Sequence, residues 1–402
     1  MTQNELIKQL SKKTDSKILF FVLDGLGDLP HPDFNNKTTL EAATHPNLDT
    51  LVSKGICGLS EPISPGITPG SGPAHIGLFG YNPIEIQIGR GLLDTLGVDF
   101  SFTKNDLAAR GNFATVDDNG ILTDRRAGRI PTSKNEEICK ILSEIKIDGV
   151  EIFLKTVKEH RFSVIFRADD LCDDIADTDP QKEGLKPLKA ITKNEAANRS
   201  ADIANEFLQK AYEKMKNLDP ANSMLLRGFS KMIDIEHYQE VFKLNPASIS
   251  VYPMYKGLTK LLGMKGLKTG KTIKDEFDTL IENYDNHDYF FMHIKKTDSY
   301  GEDGNFQGKV SIIEEFDKQL KRAMDLNPDV IVITGDHSTP ALMSGHSWHP
   351  VPTILYSDLC RKDKITYFSE DECLKGGLGR VNSQSLMPLA MANAGKLNKF
   401  RA

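Results

Sequence analysis

The chain of 402 residues is poor in cysteine and has no excess of basic residues. Its five cysteines are odd in number and form no CxxC pair, so neither a disulfide framework nor a thiolate zinc site is indicated. Lysine and arginine number 50 against 56 acidic residues, and the resulting net charge of -6 argues against a general nucleic-acid binder. These absences favour a protein of the reducing cytoplasm that binds no nucleic acid.

Long hydrophobic runs are also missing. No segment approaches the roughly 18 consecutive apolar residues that a membrane-spanning helix requires. Residues 1–13 carry Leu6, Ile7 and Leu10 among polar side chains and lack the apolar stretch of a signal peptide. We therefore expect no membrane association.

Because the chain is too long for one compact core, we also expect two domains.

What the chain does contain is an acidic and histidine-rich segment behind the apolar run Val330–Thr334. This β-branched run is typical of a central parallel strand covered on both faces. Asp336 and His337 follow where the strand ends, with His346 and His349 a few residues further on. Ligands collect at the carboxyl ends of such strands, and carboxylate with imidazole suits zinc, manganese or a related divalent ion. Loop histidines with ordinary hydrogen bonds are the alternative.

Two other predicted strands end in a similar way. The apolar run Ile18–Leu23 leads directly into Asp24, and the run 288–294 is followed, after three polar residues, by Asp298. A helix is predicted over 39–54 after the first strand, and an amphipathic helix after Asp298 returns the chain to the sheet as in a βαβ unit. These elements predict an α/β fold with a mostly parallel sheet flanked by helices.

A loop rich in glycine and proline, at 65–75, places Ser71 before an apolar helix. The backbone N–H groups and the dipole of a helix N-terminus favour an anion at such a position. The neighbouring glycines allow a large group to approach the backbone closely. A plain N-cap is the other interpretation of this serine, and it is the commoner one when the residue is considered alone.

The middle of the chain has a different pattern. Alternating stretches at 111–116 and 160–167 predict half-buried strands of a mixed α+β module. The segment 124–129 places three arginines on a predicted turn, and arginine matches phosphate and carboxylate oxygens bidentately. A solvated run of charges is the alternative for this segment.

The predicted domain organisation follows from the acidic strand ends, which occur on both sides of the middle module. We expect residues 1–110 and 246–402 to form one discontinuous metal-binding domain. Residues 111–245 are expected to form a smaller inserted α+β domain.

A series of ordered motifs runs along nearly the whole chain. They are VLDGLGDLP, TPGSGPAHIGLFGYNP, ARGNFATVD, DRRAGRI, IADTDP, YPMYKGL, KKTDSYGEDG, GDHSTP, HSWHPVP and GGLGRV. In these motifs the chain resembles the archaeal-type, cofactor-independent phosphoglycerate mutases of the alkaline phosphatase superfamily. The resemblance implies an alkaline-phosphatase-like fold and a cytoplasmic isomerase that interconverts 2-phosphoglycerate and 3-phosphoglycerate in glycolysis and gluconeogenesis, without 2,3-bisphosphoglycerate.

The resemblance also implies two divalent metal ions, manganese or else magnesium, cobalt or zinc, beside a serine nucleophile at Ser71. The implied ligands are Asp24, Ser71, Asp336 and His337 for one ion, and Asp298, Glu302 and His346 for the other. Glu302 stands where related mutases place a histidine, so Glu302, Asp303 and His349 remain alternatives for completing the second site. A metal ion is needed because a serine hydroxyl is a poor nucleophile near neutral pH.

Substrate binding is expected in the insert. A mutase must retain glycerate between the two phosphoryl transfers, which calls for groups that hold a carboxylate and for a domain that closes and excludes water. The candidates are Arg125, Arg126 and Arg129, followed by Arg110, His160, Arg161, Asp177 and Asp179. The two aspartates would either act on the glycerate hydroxyls or hold arginines by ion pairing, and pairing is the preferred interpretation.

Two other functions compete with the mutase. A metal-dependent phosphohydrolase on the same scaffold would release phosphate, and the size and arginines of the insert disfavour it. A non-catalytic binding protein is disfavoured because the nucleophile and the metal-ligand positions are present. The sequence allows a homo-oligomer but does not indicate one.

Overall fold

The computed structural model describes residues 1–192 and 194–401. The chain divides into two compact units, one formed by Met1–Gln87 with Glu236–Ala402 and the other by Ile88–Ile235. The predicted insert, 111–245, has different limits from the second unit, because the helix Arg90–Gly97 and the first part of the strand Asp106–Val116 also belong to that unit.

Strands and helices alternate over much of the described chain. The strands are β1 (Ile18–Leu23), β2 (Ile56–Glu61), β3 (Asp106–Val116), β4 (Leu122–Asp124), β5 (Glu151–Lys158), β6 (Arg161–Arg167), β7 (Ser223–Ser230), β8 (Pro246–Ser250), β9 (Lys265–Gly266), β10 (Tyr289–Ile294), β11 (Val330–Thr334), β12 (Val351–Ser357) and β13 (Gly379–Asn382). The helices are α1 (Gln3–Leu10), α2 (Thr39–Ala42), α3 (Pro46–Lys54), α4 (Ser71–Leu78), α5 (Arg90–Gly97), α6 (Thr132–Leu142), α7 (Asn198–Met215), α8 (Tyr238–Val241), α9 (Pro253–Leu261), α10 (Ile273–Asn283), α11 (Lys296–Glu302), α12 (Phe306–Met324), α13 (Glu370–Cys373) and α14 (Leu386–Asn393).

The first unit is built on a mostly parallel eight-stranded sheet. Its strand order is β13-β2-β12-β11-β1-β10-β8-β9, and only β12 runs antiparallel to its neighbours. Every residue of β1, β10 and β11 is buried, as expected for strands covered by helices on both faces. The predicted mostly parallel sheet flanked by helices is therefore confirmed.

The three central strands end at the same edge of this sheet. Ile18 of β1 pairs in parallel with Val330 of β11 on one side and with Tyr289 of β10 on the other. Because the three strands start in register and have similar lengths, their carboxyl ends lie level. The polar residues that follow them are consequently delivered to one edge of the sheet.

Aromatic packing fixes helices against the sheet. Phe21 of β1 stacks on Phe277 of α10 and meets Phe316 of α12 edge-on, with ring centroids 5.6 Å apart in both contacts. All three rings are buried, and each contributes roughly 1.5–3 kcal/mol through removal of apolar surface from water. This packing holds α10 and α12 against β1.

The second unit contains a five-stranded antiparallel sheet, in the order β4-β3-β6-β5 with β7 paired to β3. Phe113 of β3 stacks on Phe162 of β6 at a centroid distance of 4.4 Å. Gly111 lies beneath the Phe162 ring, where a Cβ atom would come within 2.1 Å of a ring carbon. Residues of α6 and α7 belong to the same core, so the smaller α+β unit expected from the sequence is present.

One predicted helix is wrong. The segment 39–54 forms two helices, α2 and α3, because Pro46 has no N–H group to continue the first helix and instead occupies the first position of the second.

Within the described residues, the search for a helix both long and apolar enough to cross a lipid bilayer finds none.

Candidate active site

Asp24 and Asp336 follow the adjacent strands β1 and β11, and both side chains are fully buried. Asp336 Oδ1 accepts a hydrogen bond from the Gly25 backbone N–H at 3.0 Å. Among residues 1–192 and 194–401, by contrast, no group donates a hydrogen bond to Asp24 Oδ1 or to Asp336 Oδ2. Buried acceptors without a donor are unfavourable, so these two oxygens call for a positively charged partner.

His337 directs a nitrogen toward the same two oxygens. Its Nε2 atom lies 3.4 Å from Asp24 Oδ1 and 3.2 Å from Asp336 Oδ2. Its Nδ1 atom lies 3.0 Å from Thr339 Oγ1, and the Thr339 hydroxyl donates to Asp298 Oδ1 at 2.8 Å. Since that hydroxyl proton is used on Asp298, Nδ1 is assigned the imidazole proton and Nε2 a lone pair. Three acceptors therefore converge, which is a donor set suited to a divalent cation.

The charges of this group depend on each other. Burial raises the pKa of Asp24, but Lys295 and then the hydrogen bond from His293 outweigh it and hold the pKa well below its usual range. Burial, followed by the negative charge of Asp24, raises the pKa of Asp336 well above its usual range. Burial lowers the pKa of His337 to about 3, so the ring is neutral at physiological pH. A neutral imidazole is the form that can bind a metal ion.

Ser71 is the first residue of α4, and its hydroxyl belongs to the same cluster. Gly70 occupies the N-cap position, so the interpretation of Ser71 as a plain N-cap is wrong. Ser71 Oγ lies 3.2 Å from His337 Nε2. One turn further along the helix, His75 Nδ1 donates to the Ser71 carbonyl oxygen at 2.8 Å and fixes the backbone of the serine.

A second group of candidate ligands contains Asp298, His337 and His346. Asp298 lies in the first turn of α11, and its Oδ1 is 3.4 Å from His346 Nε2. His346 Nδ1 donates to the carbonyl oxygen of Pro69 at 2.9 Å, which leaves Nε2 as an acceptor. The rings of His337 and His346 stack with centroids 3.7 Å apart, so the two groups are contiguous.

Three residues were alternatives for completing the second group. Glu302 is at the end of α11, and its Oε1 lies 3.8 Å from His346 Nε2, with 55% of the side chain exposed. His349 Nδ1 instead lies 3.0 Å from Ser347 Oγ. None of the three, Glu302 included, belongs to a ligand group of the described residues. Glu302 is the one of the three with a contact to His346 of the second group, and its role as a ligand stays a prediction.

Three donors that received no role from the sequence surround Asp24. The Tyr255 hydroxyl, the Lys295 ammonium group and His293 Nε2 donate to Asp24 Oδ2 at 2.5, 3.0 and 3.1 Å. The polar His293 inside the otherwise apolar strand β10 was a signal that could have been used. Nothing in the local pattern around Tyr255, which lies in α9, indicated this contact.

In the second unit, arginines face the two predicted aspartates. Arg125 Nε and Nη2 donate to Asp179 Oδ1 and Oδ2 at 2.9 and 2.6 Å, in a bidentate pair. Arg227 lies 3.4 Å from Asp179 and 3.6 Å from Asp177. The sequence did not single out Arg227, because Arg227 comes to lie opposite Arg110 only when β7 pairs with β3.

Arg110 of β3 is held by Asp94 of α5. Its Nε and Nη2 atoms donate to Asp94 at 2.5 and 2.7 Å, and both side chains are buried. A bidentate pair of this kind fixes the plane and direction of the guanidinium group. Arg110 therefore has one orientation within the second unit.

The remaining predicted substrate ligands lie around His160. This histidine is buried, and burial, followed by the positive charges of Arg161, Arg126 and Arg129, lowers its pKa to about 4. Arg126 and Arg129 are exposed. The fold thus brings three arginines close enough to the histidine to act on its charge.

Comparisons with known proteins match part of the chain for the family model and nearly all of it for the relatives. The family described as 2,3-bisphosphoglycerate-independent phosphoglycerate mutase matches residues 52–221. A protein of Thermosipho africanus named probable 2,3-bisphosphoglycerate-independent phosphoglycerate mutase is 49% identical over 404 residues, covering 100% of this chain and 99% of its own length. A protein of the same name from Aquifex aeolicus is 50% identical over 408 residues, covering 99% and 100%.

Two solved structures are similar in fold and sequence. A protein from Pyrococcus horikoshii superimposes with a TM-score of 0.84 at 30% identity, over 96% of this chain and 99% of that chain. A cofactor-independent phosphoglycerate mutase from Thermoplasma acidophilum superimposes with a TM-score of 0.71 at 32% identity, over 94% and 100%.

Proposed function

The chain belongs to the family of 2,3-bisphosphoglycerate-independent phosphoglycerate mutases, and we propose that it interconverts 2-phosphoglycerate and 3-phosphoglycerate through a phosphoserine at Ser71. Like its relatives, it is an isomerase that acts on small phosphoglycerates. The pathways we propose for it are glycolysis and gluconeogenesis in the cytoplasm. The observation that carries the proposal is the distance of 3.2 Å between Ser71 Oγ and His337 Nε2, beside two buried carboxylate oxygens that lack donors.

The residues present fit two divalent ions. The proposed ligands are Asp24, Asp336, His337 and Ser71 for one ion, and Asp298, His346 and Glu302 for the other. When bound, such ions stabilise a serine alkoxide and the oxygens of a phosphoryl group in transfer. This mixture of carboxylate and imidazole ligands suits manganese, which we propose as the metal, and it is compatible with magnesium, cobalt or zinc.

The chemistry assigned to the chain begins at Ser71. Its Oγ loses the hydroxyl proton and attacks the phosphorus atom of the substrate, and the glycerate oxygen takes up a proton as its bond to phosphorus breaks. Because Ser71 is the first residue of α4, a phosphoryl group on it would lie at the helix N-terminus, where the helix dipole favours an anion. The glycerate then reorients, and its other hydroxyl attacks the phosphoserine, which regenerates the serine hydroxyl.

Retention of the glycerate separates this reaction from hydrolysis. We assign this task to the arginines of the second unit, because a guanidinium group binds a carboxylate or a phosphate bidentately. Asp179 and Asp177 hold Arg125 and Arg227. Because these side chains are already restricted, they lose less conformational entropy when they bind an anion. The further proposed ligands are Arg110, Arg126, Arg129, His160 and Arg161.

A single assay tests the proposal. Protein loaded with Mn²⁺ is incubated with 3-phosphoglycerate in the absence of 2,3-bisphosphoglycerate, and 2-phosphoglycerate and inorganic phosphate are followed together. We expect 2-phosphoglycerate to accumulate with little free phosphate, and we expect a chelator to stop the reaction until Mn²⁺ is restored. Release of one phosphate per substrate without isomer formation would instead identify a phosphohydrolase.

A further inference from the structure

Lys295 lies between the two candidate metal groups. Its ammonium nitrogen is 3.0 Å from Asp24 Oδ2, in the first group, and 2.5 Å from Asp298 Oδ2, in the second. Its side chain is largely buried, with 26% of its surface exposed, so water screens its charge poorly. One fixed positive charge therefore acts on both groups at once.

The hydrogen bonds divide the oxygens of each carboxylate between two tasks. Asp24 Oδ2 is saturated by Lys295, Tyr255 and His293, whereas Asp24 Oδ1 has no donor among the described residues. Asp298 Oδ2 likewise faces Lys295, whereas its Oδ1 accepts a hydrogen bond from Thr339 and lies 3.4 Å from the acceptor nitrogen of His346. In both residues the Lys295 ammonium group contacts one carboxylate oxygen, and the other carboxylate oxygen faces the neighbouring candidate ligands.

We propose that Lys295 is a resident cation of this site, whose charge weakens the binding of divalent metal ions and strengthens the binding of the phosphoryl group. This inference rests on the proposed function for the identity of the anion. Lys295 is a positioning residue in this role, since it touches two candidate ligands rather than the reacting atoms.

The sign of each effect follows from Coulomb's law. A positive charge repels an approaching Mn²⁺ ion and attracts a phosphate dianion, so a neutral side chain at position 295 changes the two affinities in opposite directions. A general distortion of the site would weaken both. Opposite shifts therefore distinguish a charge effect from simple loss of structure.

The experiment is a pair of calorimetric titrations on the full chain. Chelator-treated wild type and Lys295→Met are titrated with Mn²⁺, and the Mn²⁺-saturated proteins are then titrated with inorganic phosphate. We expect the variant to bind Mn²⁺ about tenfold more tightly and phosphate about tenfold more weakly. Unchanged or weaker Mn²⁺ binding, or unchanged phosphate binding, overturns the proposal.

Two variants serve as controls. Lys295→Arg keeps the charge and can span two carboxylates, so both affinities should stay near those of the wild type. Lys296→Met removes the same charge from the exposed neighbouring residue and should change neither affinity by more than about twofold, because water screens an exposed charge. Lys295→Met could unfold when its metal is removed. In that case Lys295→Gln is used for the Mn²⁺ titration. The phosphate titration, which needs Mn²⁺-saturated protein, is then done with Lys295→Met that has been purified in Mn²⁺.

The outcome is separate from that of the mutase assay. A wild type that forms no 2-phosphoglycerate would refute the proposed function, yet the opposite shifts in Mn²⁺ and phosphate affinity would still support the resident cation. A wild type that isomerises its substrate while Lys295→Met shows no opposite shifts would refute the resident cation alone.

Discussion

His337 Nε2 lies 3.2 Å from Ser71 Oγ, although the two residues are separated by 266 positions in the chain. The same nitrogen lies within 3.4 Å of one oxygen each of Asp24 and Asp336. The serine hydroxyl and the buried acceptor oxygens therefore share one neighbour. This relationship places the proposed nucleophile directly at the proposed metal site.

Replacing Ser71 with alanine should abolish turnover while leaving most of the bound metal in place. Turnover should fall by at least about a thousandfold, because the variant has no oxygen to carry the phosphoryl group. Bound metal should remain, because the carboxylates of Asp24 and Asp336 and the imidazole of His337 still surround the first proposed metal site. Formation of 2-phosphoglycerate and Mn²⁺ per chain are the two measurements. Ser53→Ala, on the exposed surface of α3, is the control, and substantial activity in Ser71→Ala would contradict the phosphoserine route.

Thr339 orients both metal groups through one hydroxyl. It accepts from His337 Nδ1 and donates to Asp298 Oδ1, so Thr339→Val removes two hydrogen bonds without changing the size of the side chain much. Loss of such an orienting contact typically lowers metal affinity by roughly 10–100-fold. A Mn²⁺ titration measures this change. Thr339→Ser retains the hydroxyl and should bind nearly as tightly as the wild type, so equal weakening in both variants would argue against this role.

Arg125 provides a test of the substrate assignment in the second unit. Arg125→Gln removes a guanidinium group held by Asp179, and we expect KM for 3-phosphoglycerate to rise by about tenfold or more, since a charged hydrogen bond is worth roughly 1.5–3 kcal/mol. Released phosphate should be measured as well, because poorly held glycerate lets water compete. Mn²⁺ affinity should not change.

The second unit offers a matched control for this variant. Arg167 makes the same kind of bidentate pair with Asp106, and its side chain is 28% exposed against 26% for Arg125. Arg167→Gln should therefore cost similar stability without changing KM. Equal KM values for 3-phosphoglycerate in the two variants would mean that Arg125 does not bind the substrate anion.

The sequence was informative where one local pattern determines the outcome. The uninterrupted apolar runs predicted β1 and β11 with the bounds that the structure has, and the residues after them reach one edge because parallel strands align. The break between α2 and α3 was missed because the helical pattern of apolar residues continues across Pro46.

The contacts of Tyr255 and Arg227 could not be predicted, because each depends on a distant partner. Tyr255 reaches Asp24 across 231 positions, and Arg227 meets Asp179 because hydrogen bonds join Thr178 to Leu226 of β7. Lys295 lay within a noted motif, but its position between two carboxylates depends on where β1 and β10 place Asp24 and Asp298. Such contacts belong to the tertiary structure and leave no periodic signal.

Glu276 of α10 makes the stability of the protein depend on pH. It is 3% exposed, and no described residue donates a hydrogen bond to its Oε1. Burial, followed by the charges of Asp275 and Glu315, raises its pKa to about 9. In the unfolded chain a glutamate has a pKa of about 4.3, so between these values the folded state keeps a proton that the unfolded state has released. Stability from this residue is therefore complete below about pH 4.5 and is lost as the pH rises toward 9.

Glu276→Gln should remove this dependence, because an amide fills the same space without ionising. The variant should match the wild type near pH 4.5 and exceed its stability by at least about 1 kcal/mol at pH 8, since one unit of pKa shift corresponds to about 1.4 kcal/mol. Melting temperatures of metal-loaded protein from pH 4.5 to 8.5 measure the difference. Glu282→Gln, at an exposed position of the same helix, controls for the loss of a surface charge. If the curves of wild type and Glu276→Gln run parallel over this range, Glu276 is ionised in the folded protein and the helix tolerates its charge.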